Sequence, residues 1–150
     1  MASASEFILR LLLSLAVSAF IGWEREHRGK PAGLQTHVMV GVGSTLFTIA
    51  SLLIDSTDST RIAAGIVTGI GFLGAGMIFK EKTMVLGLTS AAAVWATSAV
   101  GLAIGAGLYL PALVGAFIVV VTPFIPHKHH LQIADEEACH TCGRKLKGHH

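Results

Sequence analysis

Between Arg61 and Lys80 lie 18 residues, IAAGIVTGIGFLGAGMIF, with no Asp, Glu, Lys or Arg among them. As an α-helix rising about 1.5 Å per residue, such a run covers roughly 27 Å, close to the hydrocarbon thickness of a bilayer. The run also holds Gly65, Gly69, Gly71, Gly74 and Gly76. In water each glycine would weaken a helix by roughly 0.8–1 kcal/mol. In lipid, small residues let backbones approach, and Gly65-x-x-x-Gly69 has the spacing that favours this. The run is expected to be a central membrane helix on which the others pack. Gly69-Ile70-Gly71-Phe72-Leu73-Gly74 also spells the G-x-G-x-x-G of dinucleotide sites. That fingerprint needs a strand before it, a helix after it and an acidic residue about 20 positions on. Here the preceding residues belong to the same apolar run, and no Asp or Glu occurs between Glu81 and Asp135. A nucleotide site is rejected.

The other spans follow from the same rule. Only 13% of the 150 residues are charged and 52% are hydrophobic, whereas about a quarter of a soluble domain is charged. Span one is expected from Phe7 to Trp23. Its apolar stretch lacks a small-residue cleavage site, so it reads as a retained span rather than a signal peptide. Arg10 is read as snorkelling to the outer interface and pairing with Glu6, with a functional intramembrane charge as the alternative. The segment Glu24–His37 is a polar loop broken by Gly29, Pro31 and Gly33. Span two runs from His37 to Ile54, and a brief acidic link carries Asp55 and Asp58. Span three is the glycine-rich run, closed by Lys80-Glu81-Lys82. Thr83 to His127 again lacks any Asp, Glu, Lys or Arg, too long for one crossing. A turn at 105–111 divides it into span four, Gly87–Ala106, and span five, Leu110–Ile125. Gly101-x-x-x-Gly105 gives span four a second small-residue face.

The expected fold class is therefore an all-α membrane protein, a bundle of five transmembrane helices over residues 1–126. Residues 127–150 form a short His/Cys-rich tail. Basic residues concentrate on cytoplasmic loops, and with five spans nine of the eleven Lys and Arg fall on the side of the tail. The N-terminus is placed outside and the C-terminus in the cytoplasm. A homo-oligomer is expected through the glycine faces of spans three and four, and no nucleic-acid partner is expected.

Chemistry is sparse. Magnesium keeps most of its waters and takes one or two carboxylates. Asp55 and Asp58 could attract it outside, and Glu24 could meet it inside. No carboxylate falls in the middle of a span, so a conduction path would rely on backbone carbonyls, water, or the hydroxyls of Ser44, Thr45, Thr68, Thr89 and Ser90. Intramembrane charge usually marks ion pathways, and its scarcity argues against a pump. Glu24 and Arg25 are polar anchors that either fix helix ends or dock a partner or lipid headgroup. Arg61 pairs with Asp58 or reaches a headgroup. His37 is read as a structural hydrogen-bonding residue rather than a proton relay. Cys139-His140-Thr141-Cys142-Gly143 offers half of a tetrahedral zinc site, with an inert tail as the alternative. A thioredoxin-like role lacks its βαβ setting. No nucleophile–base set points to an enzyme.

Several blocks, in this order, give the chain a relative. They are Gly22-Trp23-Glu24-Arg25, Gly29-Lys30-Pro31-Ala32-Gly33-Leu34-Gln35-Thr36-His37, Arg61-Ile62-Ala63-Ala64, Gly69-Ile70-Gly71-Phe72-Leu73-Gly74-Ala75-Gly76, and Gly87-Leu88-Thr89 leading to Trp95. Across roughly residues 7–125 the chain resembles the MgtC/SapB family of bacterial inner-membrane proteins. The resemblance implies a multi-pass protein tied to growth at low magnesium and, in pathogens, to survival inside host cells. It implies a regulatory role, acting through other membrane machinery such as the ATP synthase, and a historical link to magnesium transport. Gln35 stands where many relatives have Arg. Longer members carry a folded cytoplasmic domain where this chain has its Cys/His tail, so activities that depend on that domain are not expected of it.

Overall fold

The computed structural model describes residues 3–54, 59–81 and 84–125. Among these residues five α-helices carry the fold: α1 (Ala4–His27), α2 (Leu34–Ile54), α3 (Ser59–Gly76), α4 (Leu88–Gly105) and α5 (Tyr109–Val121). A 3-10 turn, Thr122–Phe124, follows α5. Between α3 and α4 stands an antiparallel ribbon of β1 (Phe79–Glu81) and β2 (Met84–Leu86), with Lys80 opposite Val85. The described residues are mostly helical, as expected, and this short ribbon is the one departure among them from an all-α chain. Lys80 and Glu81 belong to β1 rather than to a simple helix end.

Glycine punctuates the helices. Gly29 has φ +63 and Gly107 φ +81, a left-handed conformation that only glycine adopts freely. At the first, Lys30 N donates to Arg25 O at 3.1 Å and Gly29 N to Glu26 O at 2.9 Å. At the second, Leu108 N donates to Ala103 O at 2.8 Å and Gly107 N to Ile104 O at 2.9 Å. Both are Schellman ends, in which the last carbonyls of a helix find donors as the chain reverses. They set the α1–α2 and α4–α5 reversals.

At the centre stand α2 and α4, with α1 against both, α5 beside α4 and α1, and α3 on the flank of α4 and α2. The expectation that the glycine-rich helix is central is therefore corrected. Gly65, Gly69, Gly71 and Gly76 have nothing within 4 Å of where a Cβ would stand, and only Gly74 meets a neighbour, Ala91. A helix that has lost its side chains on one face has little to bury inside its own chain. The backbone contact expected of α3 occurs instead between α2 and α4. A Cβ on Gly101 would lie 3.0 Å from the Cα of Gly41, and one on Gly105 would lie 2.9 Å from the carbonyl oxygen of Thr45. Gly101 and Gly105 are thus used inside the chain, which removes them from the oligomer face expected of them.

The bundle is apolar outside and polar within. Phe72 is 82% exposed and Ile54 81%, while Thr45, Thr97 and His37 are 0% exposed. So much exposed apolar surface is the mark of a protein that meets lipid. Helices α1, α2 and α4 are long and apolar enough to cross a membrane; the apolar stretches Thr60–Gly76 of α3 and Tyr109–Phe124 from α5 onward are shorter.

Candidate functional site

A polar seam runs along the shared interface of α1, α2 and α4. On α1 it is built from Arg10, Ser14, Ser18 and Arg25, all buried. The first three are four apart, and positions i and i+4 share a helix face. On α2 the buried set includes His37, Gly41, Ser44, Thr45, Thr48 and Ser51. On α4 it includes Ser90, Thr97, Ser98 and Gly101. Small side chains bring the three backbones close, and the hydroxyls close the hydrogen bonds this proximity demands. Thr45 Oγ1 lies 2.8 Å from Ser14 Oγ and 2.7 Å from the carbonyl of Gly101, and Ser44 Oγ lies 2.8 Å from Ser98 Oγ. Such bonds tie three helices together where no water can substitute.

Arg10 closes one end. Its Nη1 donates to the Gly105 carbonyl at 2.6 Å, and it forms an ion pair with Glu6. It turns inward to satisfy the C-terminus of α4 instead of snorkelling outward, so only the Glu6 half of that expectation holds. A cation at a helix C-terminus is also favoured by the helix dipole.

The other end holds Glu24, Arg25 and His37. Arg25 is 2% exposed, and its Nη2 donates to the Thr89 carbonyl at 3.3 Å. Glu24 is buried and ion-paired with Arg28, one turn on; its Oε2 has no hydrogen-bond partner. Arg28 in turn donates to the Pro123 carbonyl at 3.2 Å and stacks over Phe124, tying α1 to the end of α5. Glu26 accepts from the Leu34 amide at 2.8 Å and so caps α2. Thr97 Oγ1 donates to the Ala93 carbonyl at 2.9 Å, which spends its one proton. The 2.8 Å contact to His37 Nδ1 therefore requires that the imidazole donate there. His37 Nε2 is left buried as an acceptor without a partner.

Of the hydroxyls expected to matter, Ser44, Thr45 and Ser90 are buried; Thr68 and Thr89 are exposed. Ser14, Ser18, Thr48, Thr97 and Ser98 escaped sequence reasoning, although Ser14 to Ser18 and Ser44 to Thr48 are four-residue steps within apolar runs, the spacing of one polar face. Arg61 is exposed at the start of α3 and lines a groove between α2 and α3, far from the seam's charged ends in sequence. Asp55, Asp58, Cys139, His140 and Cys142 lie outside the described residues. Among the described residues, no group of three or more His, Cys, Asp or Glu is placed to hold a metal.

A family model described as the MgtC family matches residues 11–131. YhiD of Escherichia coli K12, which carries the provisional name of a magnesium transporter, is 43% identical over 133 residues, 83% of this chain and 62% of that protein. MgtC of Brucella abortus is 47% identical over 111 residues, covering 73% of this chain and 47% of its own length. MgtC of Salmonella typhimurium is 40% identical over 114 residues, covering 76% and 49%. The chain thus spans between about half and just under two thirds of the relatives it matches. No solved structure matches. With the family model running through α1, α2, α3, α4 and α5, the chain belongs to the MgtC family of membrane proteins.

Proposed function

We propose that this protein is a non-enzymatic regulator or adaptor of the bacterial inner membrane, active in magnesium homeostasis and in adaptation to low magnesium or host stress. It crosses the bilayer five times, with the N-terminus outside and the C-terminus in the cytoplasm. The observation that carries the reading is the setting of Glu24. Among the described residues it is the one buried carboxylate, and it sits beside Arg25 and in an ion pair with Arg28. Two guanidiniums against one carboxylate leave a net positive end, which repels a divalent cation and suits an acidic partner surface. Along the seam, Gly41 and Gly101 stand backbone against backbone, with no room for an ion that keeps its waters. The partner is another membrane complex, such as the ATP synthase. Self-association belongs to the same proposal, by a surface other than Gly101 and Gly105, which are occupied within the chain.

The second reading is a magnesium or other cation transporter, favoured by the seam's run from Arg10 to Arg25 and by the name of the Escherichia coli relative. Reconstituted vesicles loaded with a magnesium-sensitive dye separate the two. Purified protein is expected to give no gradient-driven uptake above empty vesicles. Uptake that is lost in Glu24→Gln or Asp58→Asn would establish transport instead.

The tail extends the proposal: Cys139 and Cys142, with His140 or another histidine, bind zinc on the cytoplasmic side, where thiols stay reduced. Protein purified without added metal is expected to carry stoichiometric zinc and to lose it in Cys139→Ser/Cys142→Ser. Equal zinc in both proteins would retire the site.

A further inference from the structure

A groove of about 770 Å³ separates α2 from α3, independent of the polar seam's charged ends. Its floor is open: Gly43, Gly65 and Gly69 each have nothing within 4 Å of a Cβ position. Its rim is apolar and turned outward, with Met39 77%, Phe47 61% and Leu73 52% exposed. Among the described residues, the charged one that lines it is Arg61, at the end where α3 begins. From Arg61 to Leu73 the helix rises roughly 18 Å, which matches one leaflet of a hydrocarbon core about 30 Å thick. An apolar trough one leaflet long, with a guanidinium at its interfacial end, has the shape and charge of a phospholipid site.

We infer that this groove binds one acyl chain of an anionic phospholipid, with the phosphate at Arg61 and the chain lying over Gly65 and Gly69. Arg61 need not be free of other partners, because a guanidinium offers five donors and engages more than one acceptor. A helix from a second copy fits less well. A two-fold contact centred on Gly65 and Gly69 would bring each Arg61 towards its counterpart, about one helical turn beyond Gly65, and like charges oppose such pairing. Ser44, hydrogen-bonded to Ser98, also lines the groove, so a bound chain shields this part of the polar seam from the bilayer. The inference is independent of whether the protein regulates or conducts.

The test is native mass spectrometry of the full chain in detergent, titrated with dioleoyl phosphatidylglycerol or dioleoyl phosphatidylcholine. The unmodified protein is expected to hold one phosphatidylglycerol and to prefer it roughly fivefold, the gain a surface-level cationic contact gives. Gly65→Leu/Gly69→Leu fills open space, should fold as before by circular dichroism, and is expected to lose the bound lipid. Arg61→Gln is expected to keep a lipid but lose the preference for phosphatidylglycerol. The proposal is overturned if the double leucine variant retains lipid like the parent. It is equally overturned if no lipid is held and that variant instead converts a dimer to a monomer. An unchanged preference in Arg61→Gln would overturn the headgroup assignment.

Discussion

Replacing Gly101 by valine is expected to unfold the bundle in mild denaturant. A Cβ there would stand 3.0 Å from both the Cα and the carbonyl carbon of Gly41. Both are backbone atoms, and neither can rotate aside. Helices α2 and α4 would have to separate, stretching the 2.7 Å bond from Thr45 Oγ1 to the Gly101 carbonyl and the Ser44–Ser98 pair. Overpacking costs about 1–3 kcal/mol, and stranding a buried hydroxyl costs about 1–3 kcal/mol more. The sum, about 2–6 kcal/mol, is a large share of the stability of a small domain. Gly71→Ala is the control. Nothing lies within 4 Å of its Cβ position, so alanine there is expected to be neutral or to gain up to about 1 kcal/mol from helix propensity. Denaturation in mixed micelles, followed by circular dichroism, reads both. Equal midpoints for Gly101→Val and the parent would mean that α4 does not lie against α2 as described.

That contrast explains what could be read ahead of the structure. Length, apolarity and turn residues place the helices well: span four was expected at Gly87–Ala106 and α4 runs Leu88–Gly105. Partner choice is a different matter. Gly65-x-x-x-Gly69 and Gly101-x-x-x-Gly105 are the same motif, yet one faces open space and the other a neighbouring backbone. Spacing states that a helix can be approached closely; it does not state by what. The inward turn of Arg10 is hidden for a related reason. Its acceptor, Gly105, is 95 residues away in sequence, and only the assembled bundle brings a cation to the end of α4. The β-ribbon was obscured by its shortness, three residues a side, below the length at which alternation can be told from chance. The seam hydroxyls were legible in principle. Ser14 and Ser18, and Ser44, Thr48 and Ser51, recur at helical spacing inside apolar runs, and polar residues so placed must face one another rather than lipid.

At the opposite end of α1, two substitutions at adjacent positions are expected to act in opposite ways. Glu24→Ala removes a buried carboxylate and leaves the Arg25 guanidinium, 2% exposed, with the Thr89 carbonyl as its hydrogen-bond acceptor. Removing one member of a buried charged set typically costs about 3–5 kcal/mol, because the other charge stays desolvated. Arg25→Met removes that charge itself and keeps most of the side chain's volume. Glu24 retains its ion pair with Arg28, so the fold is expected to hold or to gain slightly. The pair of changes together should then be less harmful than the sum of the two made singly, which an additive account does not allow. Unfolding in micelles measures this coupling, while complementation of a deletion strain at low magnesium measures function. If the positive end of α1 contacts an acidic partner, Arg25→Met yields a folded protein, present in the membrane at normal levels, that fails to support growth. Full growth with Arg25→Met would move the partner contact elsewhere. A double variant as unstable as the sum of its parts would show that Glu24 does not serve to neutralise Arg25.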